Sequence, residues 1–281
     1  MRTLFLPLMT ASCPCLRFHA VRLPVLLCIM LFFIACAPLN GAAEEKPLPR
    51  SIVAGAIITP PWIMGTEEAR TTGYCTAVFT EAFRRIQTRL ITLPMTKPRL
   101  QSSLAKGKIH AVLCSSRSWH PNLTLPMAES LPVGQSGNII LMRRSSAVPV
   151  RSPQDLAGRT MAARLGYFFP AEYEEAFKRR TIRRVDVTSG LSGLHMLLAG
   201  RVDAVIMEEN EAEWLLWQEK QEHAVVIVYR FSALTPLALL LSGPEQRLMP
   251  AVNNALRHMQ QDGTIQALRT RYLQKHLESI D

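Results

Sequence analysis

The sequence lacks the short motifs that mark most enzymes and cofactor-binding domains. It contains no GxSxG, HExxH, phosphate-binding GxxxxGK(S/T) or dinucleotide-binding GxGxxG pattern. The stretch GLSGLH, which begins at Gly190, matches a hydrolase nucleophile elbow only in part and lies inside a helical pattern. The seven histidines are dispersed, and those after residue 43 show no metal-ligand spacing. These absences favour a protein that is not an enzyme and that has no cofactor or metal.

The sequence also lacks an apolar run as long as a membrane-spanning helix requires. The longest run, LPVLLCIMLFFIA at 23–35, has about 13 residues, follows a basic segment and precedes small residues. This pattern predicts a signal peptide over 1–43, cleaved after Ala43, and therefore export to the periplasm. A lipoprotein acylated at Cys36 is one alternative, and an uncleaved anchor is another.

Cysteine is scarce beyond the predicted signal peptide. Four of the six cysteines lie within 1–43, which leaves Cys75 and Cys114 in the exported chain. In an oxidising compartment an isolated pair favours a disulfide. The alternative is two buried thiols that behave as small apolar residues.

The positive charge of the chain is not concentrated in one region. The formal net charge is +10, and +7 remains without the three arginines of the predicted signal peptide. Apart from short groups such as KRRTIRR at 178–184, the basic residues are scattered, without a nucleic-acid-binding motif or a basic stripe interleaved with aromatics. The charge therefore indicates a solvated basic face and no nucleic-acid partner.

Strands and helices alternate in two successive units. The first has predicted strands at 51–58, 90–95 and 109–114 and helices at 74–87 and 100–106. The second has strands at 159–166, 182–187 and 201–207 and helices at 170–180, 190–200 and 211–220. Each unit contains one copy of a repeated phrase, LAKGKIHAVLC at 104–114 and LLAGRVDAVIM at 197–207. Such alternation predicts an α/β protein with parallel sheets covered by helices.

The remaining tail is too small to fold alone. It has one predicted strand at 235–243 and two amphipathic helices at 245–263 and 264–276. One strand and two helices bury too little apolar surface for an independent domain, so we expect the tail to pack on one of the two units.

Several stretches in order resemble the periplasmic solute-binding proteins of ABC importers, in the class of the polar amino acid receptors. The stretches are ITPPWIMG, TTGYCTAVFTEAFRRI, LQSSLAKGKIHAVLCSSRSWHP, SPQDLAGRTMAARLGY, LLAGRVDAVIMEENEAEWLL and VNNALRHMQQDGTIQALRTRYL. Together the resemblance covers roughly 50–276, and it implies a monomer with the two-lobed type II periplasmic-binding-protein fold. Each lobe would be a mainly parallel sheet flanked by helices. It places lobe 1 at 50–140 plus 236–281, lobe 2 at 146–230, and hinge strands near 139–145 and 231–237.

Ligands of open α/β sheets bind beyond the carboxyl ends of the strands, so two facing sheets place a site in the cleft between lobes. The candidate ligand-binding residues follow strand ends or open helices, namely Trp62, Tyr74, Ser115, Ser116 and Arg117 in lobe 1 and Gly166, Tyr167, Ser189 and Glu208 in lobe 2. We expect Trp62 to pack on the ligand, the serines to supply hydroxyls, and the backbone at Gly166 to hold an anion. The alternatives are that Trp62 covers a core edge and that Tyr167 caps the core.

Two charged residues, Arg117 and Glu208, are the candidates for binding the charged groups of the ligand. The resemblance implies an arginine in a TPER segment for the ligand carboxylate, but this chain reads SSRSWHPN, so Arg117 either substitutes or is a surface charge. Glu208 stands near the position where the resembled receptors hold the ligand's ammonium group with an aspartate. Its alternatives are Glu209 and a solvated acidic turn.

These observations predict a non-enzymatic receptor that captures a small polar solute, either amino acid-like or another small zwitterion or anion, and presents it to an inner-membrane ABC permease. A sensory or accessory module of the same fold is the second hypothesis. A cleft enzyme such as a dehydratase is the third, and Glu208 would have to be its acid or base.

Overall fold

The structure is a computed structural model that describes residues 47–65 and 71–274. The predicted signal peptide over 1–43, with the alternative lipidation site at Cys36, lies outside these residues. Of the helices within the described ranges, none has both the length and the apolar character needed to cross a membrane.

The first sheet has six strands, β1 (Ser51–Ala56), β2 (Arg89–Pro94), β3 (Ala111–Ser115), β4 (Met127–Glu129), β5 (Gly134–Ser136) and β11 (Thr235–Ser242). Their order is β2-β1-β3-β11-β4, and β5 also pairs with β11. Strand β1 is parallel to β2 and β3, whereas β11 is antiparallel to β3, β4 and β5. Strands β4 and β5 were not predicted, because three residues are too few to show an alternating pattern.

The second sheet has five strands, β6 (Asn138–Arg143), β7 (Thr160–Arg164), β8 (Arg183–Val187), β9 (Ala204–Glu208) and β10 (Val225–Arg230). Their order is β10-β6-β9-β7-β8. Strand β7 is parallel to β8 and β9, and β6 is antiparallel to β9 and β10.

Both sheets are mixed, so the expectation of mainly parallel sheets is corrected. The strands that carry the chain between the sheets begin where the parallel strands end: Asn138 at the start of β6 lies opposite Glu208, and Ala238 near the start of β11 lies opposite Ser115. A strand that enters the sheet at that edge must run antiparallel to its neighbours.

Within residues 71–274 the chain passes between the sheets twice. It leaves β5 and enters β6 at Gly137, and it returns between β10 and β11 through residues 231–234. Residues 139–143 of the first predicted hinge lie inside the second sheet as part of β6, so the crossing comes just before them. Whether the lobes hinge at these two crossings stays a prediction.

The helices are α1 (Tyr74–Arg85), α2 (Lys97–Ala105), α3 (Ala171–Lys178), α4 (Gly190–Leu198), α5 (Glu209–Glu219), α6 (Met249–Gln261) and α7 (Thr264–Arg269). Helices α1, α6 and α7 share one apolar core with β1, β3 and β11, and α2 covers the other face of that sheet. The tail therefore packs on the first unit, as its small size required. Helices α4 and α5 cover one face of the second sheet, and α3 covers the other.

The repeated phrase folds twice in the same way. After α2 and after α4 the chain turns at a glycine with positive φ, 63° at Gly107 and 71° at Gly200. The following residue donates back to the last turn of its helix, Lys108 N to Ser103 O and Arg201 N to Met196 O, each at 2.9 Å. This is the Schellman closure, which favours glycine because only glycine adopts such a φ without strain.

Candidate functional site

A cavity lies between the two sheets, at the edge where β3 and β9 end. The first sheet and its loops line it with Thr59, Trp62, Lys97, Ser115 and Trp119, and the second sheet and its loops with Asn138, Tyr167, Phe168 and Glu208. The empty space, including its mouth, is about 770 Å³. Walls of mixed aromatic and polar side chains are typical of a binding site for a small molecule.

Glu208 ends β9 and caps α5. Its Oε2 accepts a hydrogen bond of 2.7 Å from the Glu211 N–H, and its Oε1 accepts one of 2.9 Å from Asn210. The side chain is only 8% exposed, and burial raises the pKa of Glu208 to about 7 although both hydrogen bonds oppose the shift. The residue therefore has a structural role as a helix cap and also presents a desolvated carboxyl group to the cavity.

Ser115 ends β3 on the opposite wall. Its Oγ lies 2.9 Å from Nε2 of His120, a fully buried side chain whose Nδ1 has no hydrogen-bond partner among the described residues. Burial, together with the charges of Lys97 and Arg117, lowers the pKa of His120 to about 3. The imidazole is therefore neutral, and its role is to hold the Ser115 hydroxyl.

Lys97 begins α2 and lines the same cavity, although the sequence did not single it out. The residue is 5% exposed, and burial lowers the pKa of Lys97 to about 8. Its ammonium nitrogen lies 6.0 Å from the centre of the Tyr167 ring. Within the described residues no hydrogen bond or ion pair of this ammonium is found.

Aromatic side chains form much of the remaining wall. Trp62 lies in the loop after β1, is buried, and meets Tyr74 edge to face, with 5.8 Å between ring centroids. Its Nε1 has no hydrogen-bond partner among the described residues, and the indole lines the same cavity as the carboxyl group of Glu208. Tyr167 and the half-exposed Phe168, which follow β7 of the second sheet, line the opposite side of the cavity.

Arg164, which was not among the predicted site residues, connects the two sheets. It ends β7 and is 9% exposed, and its Nη2 donates a hydrogen bond of 2.6 Å to Ile58 O in the loop after β1. Its Nη1 lies 3.2 Å from Thr59 Oγ1 and 3.4 Å from Glu211 Oε1. A signal was available, because Arg164 lies near the end of the strand predicted at 159–166, two residues before the candidate residue Gly166.

Three predicted site residues in the first lobe do not reach the cavity. Tyr74 is fully buried in the core and donates its hydroxyl to Val133 O at 2.8 Å. The Ser116 hydroxyl accepts a hydrogen bond from Ser118. Arg117 donates to the carbonyl groups of His120 and Leu123, at 2.9 and 2.7 Å, and braces its own loop. The expected substitution of Arg117 for a carboxylate-binding arginine has no support in this geometry.

Two predicted residues of the second lobe lie beside the cavity and are engaged locally. Gly166 has a φ of 76°, and a Cβ there would lie 3.3 Å from Cγ of Lys97. The glycine thus lets the two walls approach each other, and α3, the helix expected to hold an anion, begins only at Ala171 with acidic residues in its first turn. Ser189 caps α4 by accepting from the Ser192 N–H at 3.1 Å.

Cys75 and Cys114 are joined by a disulfide with 5.8 Å between their Cα atoms. The bond connects the start of α1 to β3, and Cys114 itself lines the cavity. It closes a segment of 39 residues in sequence separation and holds the strand that carries Ser115.

A cavity between two mixed α/β sheets, with side chains contributed by both, is the arrangement of a two-lobed binding protein. The model of the bacterial extracellular solute-binding proteins, family 3, matches residues 52–275. The chain therefore belongs to this family.

Known proteins agree with this assignment. Over 146 residues the chain is 30% identical to the L-cystine-binding protein TcyJ of Escherichia coli K12, and the match covers 51% of this chain and 52% of that protein. The chain thus spans about half the length of the curated relatives it matches. An ancestral arginine-binding protein bound to arginine superposes with a TM-score of 0.69 at 19% identity, over 80% of this chain and 99% of the other.

A histidine kinase sensor domain with similarity to periplasmic binding proteins also superposes with a TM-score of 0.69, at 17% identity, over 80% of this chain and 96% of that domain. At these identities the likeness shows the fold alone. It confirms the predicted type II periplasmic-binding-protein architecture.

Proposed function

We propose that this protein is a periplasmic receptor that captures an amino acid-like zwitterion in the cavity between its sheets. The observation that carries the proposal is the buried carboxyl group of Glu208, which lines an aromatic cavity without a cationic partner among the described residues. A desolvated carboxylate in such a place is well suited to bind a ligand ammonium group. The aromatic rings of Trp62 and Tyr167 supply the apolar contacts around it.

The comparisons support an amino acid as the ligand class. The relatives named above bind L-cystine and arginine, and another similar structure is an ancestral arginine-binding protein bound to glutamine. All three ligands share the α-ammonium and α-carboxylate groups and differ in their side chains. We expect the polar residues of this cavity to bind these shared groups.

The first experiment measures ligand binding directly. The secreted protein, purified from the periplasm, is screened by thermal shift against the twenty common L-amino acids, L-cystine, simple amines and small carboxylates, and hits are measured by calorimetry. At a concentration of 100 times Kd a ligand stabilises the folded protein by about 2.7 kcal/mol, which raises the Tm measurably. If no zwitterion raises the Tm, the receptor proposal fails.

A matched pair of variants locates the site. Glu208→Gln keeps one oxygen that can accept from the Glu211 N–H but removes the negative charge, so it should weaken the binding of an ammonium-bearing hit by about 10-fold or more. Glu222→Gln, on a half-buried turn that does not line the cavity, is the control and should leave Kd unchanged. Equal affinities of the Glu208→Gln variant and the wild type would contradict the assigned site.

The partner is proposed to be an inner-membrane ABC permease. A strain without this gene should lose high-affinity uptake of the radiolabelled hit, and the wild-type gene should restore it. The same fold occurs in a sensor domain. Normal uptake together with a lost transcriptional response to the ligand would therefore replace the importer role with a sensory one.

A further inference from the structure

The first wall of the cavity contains the buried cation Lys97, for which residues 47–65 and 71–274 supply no counter-ion. Lys97 is 5% exposed, its side chain stem packs close to Gly166, and among the described residues its ammonium group makes no hydrogen bond or ion pair. A desolvated ammonium without an anion is costly, and proteins rarely retain one without a use for it. Its position in the cavity indicates that the missing anion belongs to the ligand.

The neighbouring Ser115 is oriented by His120. In neutral His120 one ring nitrogen carries the hydrogen, and Nδ1 is buried without a hydrogen-bond partner among the described residues. Buried N–H groups without an acceptor are rare, so the hydrogen belongs on Nε2, which then donates to Ser115 Oγ at 2.9 Å. With its oxygen already accepting this bond, the Ser115 hydroxyl is free to donate its own hydrogen into the cavity.

Lys97 and Ser115 therefore offer two donors on the same wall. Both line the cavity, and Lys97 lies near enough to His120 for its charge to act on the imidazole. Glu208 stands on the facing wall, at the end of the equivalent strand of the other sheet. The two walls thus present groups of opposite charge to the same cavity.

We propose that Lys97 and the Ser115 hydroxyl form the subsite for the ligand's carboxylate, and that His120 is a positioning residue which fixes the direction of that hydroxyl. This subsite deepens the proposed function, on which it rests. It selects α-amino acids that have a free carboxylate and rejects their amides, esters and simple amines. It also replaces Arg117, which is engaged in its own loop.

The central test compares the tightest-binding amino acid of the screen with its α-carboxamide, using calorimetry. The wild type should bind the acid at least about 10-fold more tightly than the amide. Lys97→Met keeps an unbranched side chain of similar length but removes its charge. We expect it to weaken the affinity for the acid by about 10-fold or more and to change the affinity for the amide by less than about 3-fold. Lys106→Met, an exposed lysine just after the same helix, is the control and should change neither.

His120 is tested by a conservative rescue. The side-chain amide of His120→Gln can place a donor near the position of Nε2, whereas His120→Leu cannot. We expect the Gln variant to keep the preference for the acid over the amide and the Leu variant to lose most of it. Nitrogen-15 spectra of the wild type should show neutral His120 with its hydrogen on Nε2 from pH 5 to 8, a readout that simple core packing would not determine.

The outcomes separate the two proposals. If the protein binds an amino acid but Lys97→Met weakens acid and amide equally, or weakens neither, the carboxylate subsite is wrong and the receptor function stands. Hydrogen on Nδ1 of His120 would also overturn the assigned direction of the Ser115 hydroxyl. If no amino acid binds the wild type, the proposed function fails and the subsite fails with it.

Discussion

Arg164 Nη2 donates a hydrogen bond of 2.6 Å to the main-chain carbonyl oxygen of Ile58. This bond joins β7 of the second sheet to the loop after β1 of the first. The same guanidinium group lies 3.4 Å from the carboxylate of Glu211, whose pKa is raised by burial and lowered in part by the arginine. Arg164 therefore links the two walls of the cavity and also neutralises a buried acid.

Replacement of Arg164 should loosen the connection between the sheets. Arg164→Gln removes the cation beside Glu211, and the loss of one partner of a buried pair costs about 3 kcal/mol. We expect a lower Tm and a larger radius of gyration by X-ray scattering without ligand. In the double variant Arg164→Gln/Glu211→Gln, the Tm should return part of the way to the wild-type value. The radius of gyration should stay larger than that of the wild type. An unchanged radius in both variants would show that this link does not hold the sheets together.

The raised pKa of Glu208 makes stability depend on pH. The folded pKa is about 7, against an ordinary value of 4.5. Between these values the folded protein holds a proton that the unfolded chain has lost, so stability falls as pH rises through this window, by at most about 1.4 kcal/mol per pH unit. Tm measured from pH 4 to 8 should therefore fall less steeply for Glu208→Gln than for the wild type.

Ligand affinity should change with pH in the opposite direction. An ammonium group binds the ionised form of Glu208, so the affinity of the wild type for a zwitterion should rise between pH 6 and 8 and level off above. The Glu208→Gln variant should show no such rise. Because Glu211 also has a raised pKa, the difference between variant and wild type is the quantity to compare.

The disulfide should stabilise both the fold and the cavity wall. Its sequence separation of 39 corresponds to about 2–4 kcal/mol of stabilisation relative to the open chain. We expect Cys75→Ser/Cys114→Ser to lower the Tm and to weaken ligand binding, since Cys114 precedes Ser115 in β3. A reducing agent should lower the Tm of the wild type but not that of the double variant.

The position of the Trp62 indole depends on the absence of a side chain at Gly134. A Cβ on Gly134 would lie 2.9 Å from Cζ3 of Trp62, which is closer than carbon atoms pack. Gly134→Ala should therefore displace the indole and weaken ligand binding several-fold. The change in tryptophan fluorescence on addition of ligand should also be smaller than in the wild type. Gly137→Ala is the control, because its Cβ would meet only the exposed side chain of Leu234, which can move aside. Equal effects of the two substitutions would exclude a specific role for Trp62.

The order and the approximate bounds of the main strands and helices could be predicted from the sequence. The strands predicted at 90–95 and 201–207 are observed as Arg89–Pro94 and Ala204–Glu208. Such agreement reflects local causes: apolar period, turn glycines and cap residues act within a few positions. The mixed character of the sheets did not follow, because strand direction depends on where the chain enters each sheet.

Only some of the residues that line the cavity could be predicted from the sequence. Trp62, Ser115, Tyr167 and Glu208 were expected at strand ends and line the cavity. Arg117 was expected in the site because arginine binds carboxylates, but two nearby carbonyl groups engage its guanidinium. Lys97 was missed because it begins a helix and looks, in sequence, like an ordinary surface lysine.

The sequence by itself determined the two α/β units, the repeated turn that delivers Ser115 and Glu208, and the return of the tail to the first unit, because each rests on local pattern or on the minimum size of a core. Only the tertiary structure decided which charges face the cavity. Lys97 and Glu208 are 111 residues apart in the chain, and their environments are set by the close approach of two sheets. Burial and the lack of a partner, which make these groups available to a ligand, do not exist until that approach is made.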